Sequence, residues 1–110
     1  MRKWGSSPKM KQHRSSFSQG LRRARNALGV AQEQFDQVSS RTYISALERG
    51  LKQPTVGKVD DLAEVLGLHP LTLLALSFDV RSLADLQKLL GTVGNQVADI
   101  LALESGSAHP

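Results

Sequence analysis

Apolar residues recur three and four positions apart along most of this chain and seldom alternate, which predicts helices and no strand. Phe17, Leu21, Ala24 and Leu28 form the first buried stripe, with Ser16 as its N-cap and Gly29 just past its end. Residues 31–38 (AQEQFDQV) read as a short second helix, with Phe35 and Val38 three apart. Ser39 and Ser40 can cap a third helix over residues 41–49, and Gly50 offers the left-handed exit a helix end favours. After the loop LKQPTVGK, a fourth helix begins at Pro54-Thr55 and turns Val56, Val59, Leu62, Ala63 and Leu66 inward before Gly67. His69-Pro70 opens a fifth, where Pro70 suits a first-turn position that needs no N–H. Leu71, Leu74 and Ala75 continue the core from there.

The C-terminal pattern is different. Ser82 and Asp85 have the form of a capping box with Asp in place of Glu or Gln. Leu83, Leu86, Leu90, Val93, Val97 and Ile100 then alternate three and four apart, an a/d seam shorter than about three to four heptads. Gly91 and Gly94 interrupt it, so one helix or a helix pair fits equally. The seam either packs on the preceding helices or joins two copies of the chain.

The third helix carries the most chemical information. At 100° per residue, Tyr43, Ile44, Leu47 and Glu48 share one side. Arg41, Thr42, Ser45, Ala46 and Arg49 share the other. Solvated helix faces usually use long Glu and Lys, whereas this one sets short side chains between arginines. Short donors beside Arg suit a helix that lies against a major groove and reaches base edges. Preceded by a short helix and a tight turn, it forms a helix-turn-helix.

That pattern resembles a known family. LRRARNALGVAQEQF followed by SSRTYISALERGLKQPTVGKVDDLAEVLGLHPLTLL is similar to the Cro/phage-repressor (xenobiotic-response-element) class of DNA-binding domains. The resemblance covers roughly residues 17–76, and its most specific pieces are Gln32-Glu33, the YIS-LERG run, Pro54 and LAEVLGLHP. It implies an all-α fold, a five-helix lambda-repressor-like DNA-binding domain, here with an added C-terminal helix or helix pair. It also implies an ion pair between Arg25, on the margin of the first stripe, and Glu48 of the LERG run. The chain departs from the family at Ala31, where Ser or Thr is usual, and loses a cap that typically contributes about 1 kcal/mol. The distance from Gln32 to Tyr43 is two residues short and the usual turn glycine is missing. The second helix or the turn is therefore compressed, and Ser39-Ser40 must do the turning.

On this reading Arg41 and Thr42 meet base edges, with Ser45 and Ala46 alongside, Ala46 against a thymine methyl. Gln32, Ser40, Arg49 and Lys52 hold phosphates. The partner is double-stranded DNA. A homodimer through Leu83, Leu86, Leu90, Val93, Val97 and Ile100 is preferred, because one small domain alone reads few bases.

Charge sharpens the picture. The net charge is +4, but residues 1–32 hold eight Lys/Arg and no acid, while residues 61–110 hold six acids and two bases. A cationic front fits a polyanion partner, and an anionic back fits something else or a solubilising tail. The expected organisation is a disordered basic arm over residues 1–16, carrying the isolated Trp4, then a helix-turn-helix domain over 17–78. A C-terminal helical dimerisation element over 79–104 and a disordered tail over 105–110 follow.

Other chemistry is sparse. There is no cysteine, so disulfides and thiolate metal sites are excluded, and no cofactor or metal is expected. No run of about 18 apolar residues or signal-peptide core occurs, which favours a cytoplasmic protein with no membrane partner. His13, His69 and His109 stand apart, without metal or triad spacing, so the chain is not expected to be an enzyme. The leading expectation is a transcription regulator, a repressor by family analogy, acting as a dimer on a palindromic operator. Its alternatives are the antitoxin of a toxin–antitoxin pair, with residues 80–104 on the toxin, or a protein- or RNA-docking module.

Overall fold

Every regular element among the described residues is helical. The computed structural model describes residues 16–106, so residues 1–15 of the basic arm, with Trp4 and His13, and residues 107–110 of the tail, with His109, lie outside the described residues. The elements are α1 (Phe17–Leu28), a 3₁₀ turn (Gln32–Phe35), α2 (Arg41–Glu48), α3 (Val56–Leu66), α4 (Pro70–Leu76) and α5 (Leu83–Ser105). They divide into two units, the first ending at Asp79 and the second beginning at Val80. Leu21, Phe35, Ile44, Leu47, Leu62 and Leu73, one or two from each of the first five elements, are fully buried at the centre of the first unit.

The inner face of α1 differs from the stripe its sequence suggests. Phe17, Leu21 and Ala24 are buried, but Leu28 is half exposed and Gly20 is buried instead. A Cβ at Gly20 would lie 2.5 Å from Ser77 Oγ and 2.8 Å from the Ser77 backbone nitrogen. Only glycine allows the start of α1 to approach the end of α4 this closely. The Ser16 N–H donates to the Ser77 carbonyl at 2.6 Å, and the Ser77 hydroxyl donates to the Leu73 carbonyl at 3.1 Å. Ser16 spends its side chain on Ser18 Oγ rather than on capping α1.

The second helix is compressed to four residues of 3₁₀ geometry, half of what the apolar spacing implies. Ala31 has no side-chain acceptor for the first free N–H groups. Gln34 supplies half of a capping box, its Oε1 accepting from the Ala31 N–H at 2.8 Å. The N–H groups of Val38 and Ser39 both donate to the Phe35 carbonyl at 2.9 Å, which winds the turn tightly without glycine. Ser40 then starts α2 by accepting from the Tyr43 N–H at 3.1 Å.

Helix α2 ends in a Schellman arrangement. The Leu51 N–H donates to the Ala46 carbonyl at 2.9 Å and the Gly50 N–H to the Leu47 carbonyl at 3.1 Å. Gly50 has φ +77°, a left-handed conformation that costs other residues energy. Thr55 and His69 cap α3 and α4 through Thr55 Oγ1 and His69 Nδ1. Two apolar residues expected inside are outside: Val56, the first residue of α3, is 86% exposed and Leu71 is 64% exposed. Leu73 is the buried residue of α4, because packing against α1 and α3 sets the inward face of so short a helix.

The second unit contains α5, one continuous helix of 23 residues with Gly91 and Gly94 inside it and no buried residue. Ser82 Oγ accepts from the Asp85 N–H at 3.1 Å, while Asp85 Oδ2 accepts from the Arg81 N–H, one residue before the cap. Among the described residues no helix is long and apolar enough to cross a membrane.

Candidate nucleic-acid interface

The surface of α2 is built from beneath. Glu48 is 6% exposed, and its carboxylate receives two hydrogen bonds from Arg25, Nε to Oε2 at 2.5 Å and Nη2 to Oε1 at 3.0 Å. Gln32 Nε2 donates to the same Oε1 at 3.0 Å, and Arg25 Nη1 reaches the Val30 carbonyl at 3.1 Å. The hydrogen bond to Glu48 raises the Arg25 pKa above its ordinary value, against the opposing effect of burial. A two-pronged arginine–carboxylate contact fixes orientation as well as distance. One cluster therefore ties α1, the 3₁₀ turn and α2 together, and sets the rotation of α2 about its axis.

That rotation decides what faces outward. Arg41, Thr42 and Arg49 are exposed and Ser45 is partly exposed, whereas Ile44, Ala46, Leu47 and Glu48 are buried. At 100° per residue the outward four fall within an arc of about 100°. Ala46, placed beside Ser45 by the sequence pattern, is only 7% exposed, so the free protein does not present it with the outward four. It sits at the border of the arc next to Tyr43, on a helix packed against both α1 and the 3₁₀ turn.

The other expected positions fall into two groups. Ser40, the N-cap of α2, Arg49, its C-cap, and Lys52, in the loop beyond, are all exposed. Ser40 accepts at its oxygen and keeps its hydroxyl proton as a donor. Among the described residues neither Arg49 nor Lys52 pairs with a carboxylate. Gln32, by contrast, is half-buried with its amide turned onto Glu48, so it braces the ion pair instead of standing free for a phosphate.

Two contributors carry no sequence signal. Asp36 Oδ2 accepts from Arg41 Nη2 at 3.3 Å across the turn, with both side chains more than half exposed. Lys58 Nζ donates to the Val38 carbonyl at 2.7 Å and lies 5.7 Å from the centre of the Tyr43 ring, clamping the turn and the start of α2 to α3. Neither follows a standard helical spacing, since each crosses between elements. The six residues of the α5 seam are exposed or half-exposed.

This arrangement offers hydrogen-bond donors and positive charge on a convex helix face, without a metal-binding group of His, Asp or Glu among the described residues. Comparison with curated proteins and with solved structures gives no match. The helix-turn-helix family matches residues 21–73, a span that runs from within α1 into α4 and contains the ion-pair cluster, the turn and all of α2. Over those residues the chain is an all-α, lambda-repressor-like helix-turn-helix domain of the Cro/C1 (xenobiotic-response-element) family of DNA-binding regulators.

Proposed function

We propose that this protein is a sequence-specific double-stranded-DNA-binding repressor of transcription, acting as a dimer on a palindromic operator and catalysing no reaction. The reading rests on the outward arc of α2, where Arg41, Thr42, Ser45 and Arg49 are open to a partner while Glu48, at the edge of the covered side, is held by Arg25. In this mechanism α2 lies in the major groove. Arg41 leaves Asp36 and makes a bidentate contact to guanine, a recognition worth about 1–3 kcal/mol against the wrong base. Thr42 and Ser45 contact neighbouring base edges. Ser40, Arg49 and Lys52 hold phosphates and fix the register. Dimerisation through the α5 seam brings two α2 helices to half-sites one turn apart. Repression then follows from occupancy of the operator.

Selection of bound fragments from random DNA tests this directly. A palindromic consensus is expected, with affinity that falls steeply as salt rises. Arg41→Ala should relax one base position more than it weakens non-specific binding. Recovery of no consensus, or an Arg41→Ala variant that selects the parent's sequence with the parent's affinity, would overturn the assignment of the reading face.

A further inference from the structure

The apolar seam of α5 has a direction written into it. All its leucines, Leu83, Leu86 and Leu90, lie in the N-terminal half, and all its β-branched residues, Val93, Val97 and Ile100, lie in the C-terminal half. The five of these that are most open, from Leu83 to Ile100, are 42–76% exposed. We propose that a second copy of this chain covers the seam in antiparallel orientation, with Leu83 against Ile100, Leu86 against Val97 and Leu90 against Val93 of the partner. This proposal rests on the dimer reading above and adds the geometry of the pairing.

Three observations favour antiparallel over parallel pairing. In the antiparallel register each of the six layers joins one leucine to one β-branched residue, so layer volume is even and large faces small. Parallel pairing would stack leucine on leucine at one end and valine on valine at the other, with β-branched residues at the d positions that parallel dimers give to leucine. Charge points the same way. Glu104 continues the seam at the next a position, and two copies would meet there only in the parallel pair. The positions flanking the seam, Gln87, Leu89, Gly94, Gln96, Leu101 and Leu103, carry no charge. Covering the seam removes on the order of 1,000 Å² from water, which reaches the lower bound for a specific interface.

The orientation has a consequence for DNA. With a rise of about 1.5 Å per residue, the two Leu83 residues stand about 26 Å apart along the pair. Each lies four residues after the end of its own DNA-binding unit. The chain connections to the two DNA-binding units therefore leave the pair at opposite ends, whereas a parallel pair would start both from one end.

The chain has no cysteine, so single cysteines at Ala84, Thr92 and Ala98 give clean nitroxide labels on the full-length protein. Same-site distances in the dimer are expected to be shortest at Thr92 and to lengthen by about 3 Å for each residue moved toward either end. Equal distances at all three sites would show parallel pairing and overturn this inference while leaving the dimer in place. A monomeric mass with no intermolecular distance at any site would instead overturn the dimer reading beneath it.

Discussion

Arg41 and Asp36 face each other across the turn at 3.3 Å, and the pair is open to solvent on both sides. The arginine proposed to read guanine is thus held, in the free protein, by a carboxylate that DNA phosphates would also repel. An exposed pair of this kind contributes about 0–1 kcal/mol, so releasing it is a small cost of binding. Asp36→Asn should raise operator affinity a few-fold and leave stability unchanged within about 0.5 kcal/mol. Titration of labelled operator alongside urea unfolding checks both halves. Weaker binding by the variant would show that Asp36 orients Arg41 productively instead of restraining it.

Glu48 is a different case because it is buried and receives three hydrogen bonds. Truncating it strands the Arg25 guanidinium and the Gln32 amide together. Arg25 retains 18% exposure, which places the expected loss for Glu48→Ala near the low end for such pairs, about 2–4 kcal/mol. Glu48→Gln, which keeps the shape and one acceptor, should lose less. A urea midpoint unchanged in Glu48→Ala would remove the cluster from any account of how α2 is oriented.

Gly20 makes a packing prediction free of electrostatics. Gly20→Ala pushes a methyl group into the Ser77 hydroxyl and also into its backbone. The hydroxyl could yield, but the backbone nitrogen at 2.8 Å could not without moving α4. An overpacking cost of about 1–3 kcal/mol is expected. Adding Ser77→Ala should recover little of it, which thermal unfolding of the single and double variants would reveal.

These cases also show what a sequence carries. The helices were legible because their caps and periodicity are local: Gly29, Gly50, Thr55 and Gly67 each act within one turn. The inward rotation of α1 and α4 was less so, because Gly20 and Leu73 owe their burial to each other's helices and not to spacing within their own. The 3₁₀ turn lay between these extremes. The missing Ser or Thr at Ala31 and the two-residue deficit announced a compression, but Phe35 collecting two N–H groups fixed its form. At the candidate interface, a helical wheel drawn without the third dimension put Ala46 outside. The wheel gives angles, and only the neighbouring helices decide how wide the covered arc becomes.

Phosphate contacts and base contacts should separate cleanly in mutants. Lys52→Ala should weaken binding to operator and to unrelated DNA by similar factors and lower the salt slope by about 1. Arg49→Ala should behave alike. If either substitution changes the selected sequence instead, that side chain reaches a base and the boundary drawn around the reading arc is too narrow.

Thr42 and Ala46, four apart on α2, test that boundary from its two sides. Thr42 is exposed and Ala46 is buried, so losing a hydroxyl at the first and gaining one at the second should show up in different measurements. Thr42→Ala removes a hydroxyl and a methyl from solvent and should leave stability within about 0.5 kcal/mol while altering preference at one base pair. Ala46→Ser brings a hydroxyl into a packed site and should cost about 1–3 kcal/mol unless it finds a hydrogen-bond partner, with the selected sequence unchanged. Measuring unfolding and fragment selection on both variants completes the comparison. A shifted consensus in Ala46→Ser with unaltered stability would mean that α2 rolls by tens of degrees when it meets DNA. The Arg25–Glu48 cluster would then have to break in the complex, and the rigid seating inferred for α2 would be lost with it.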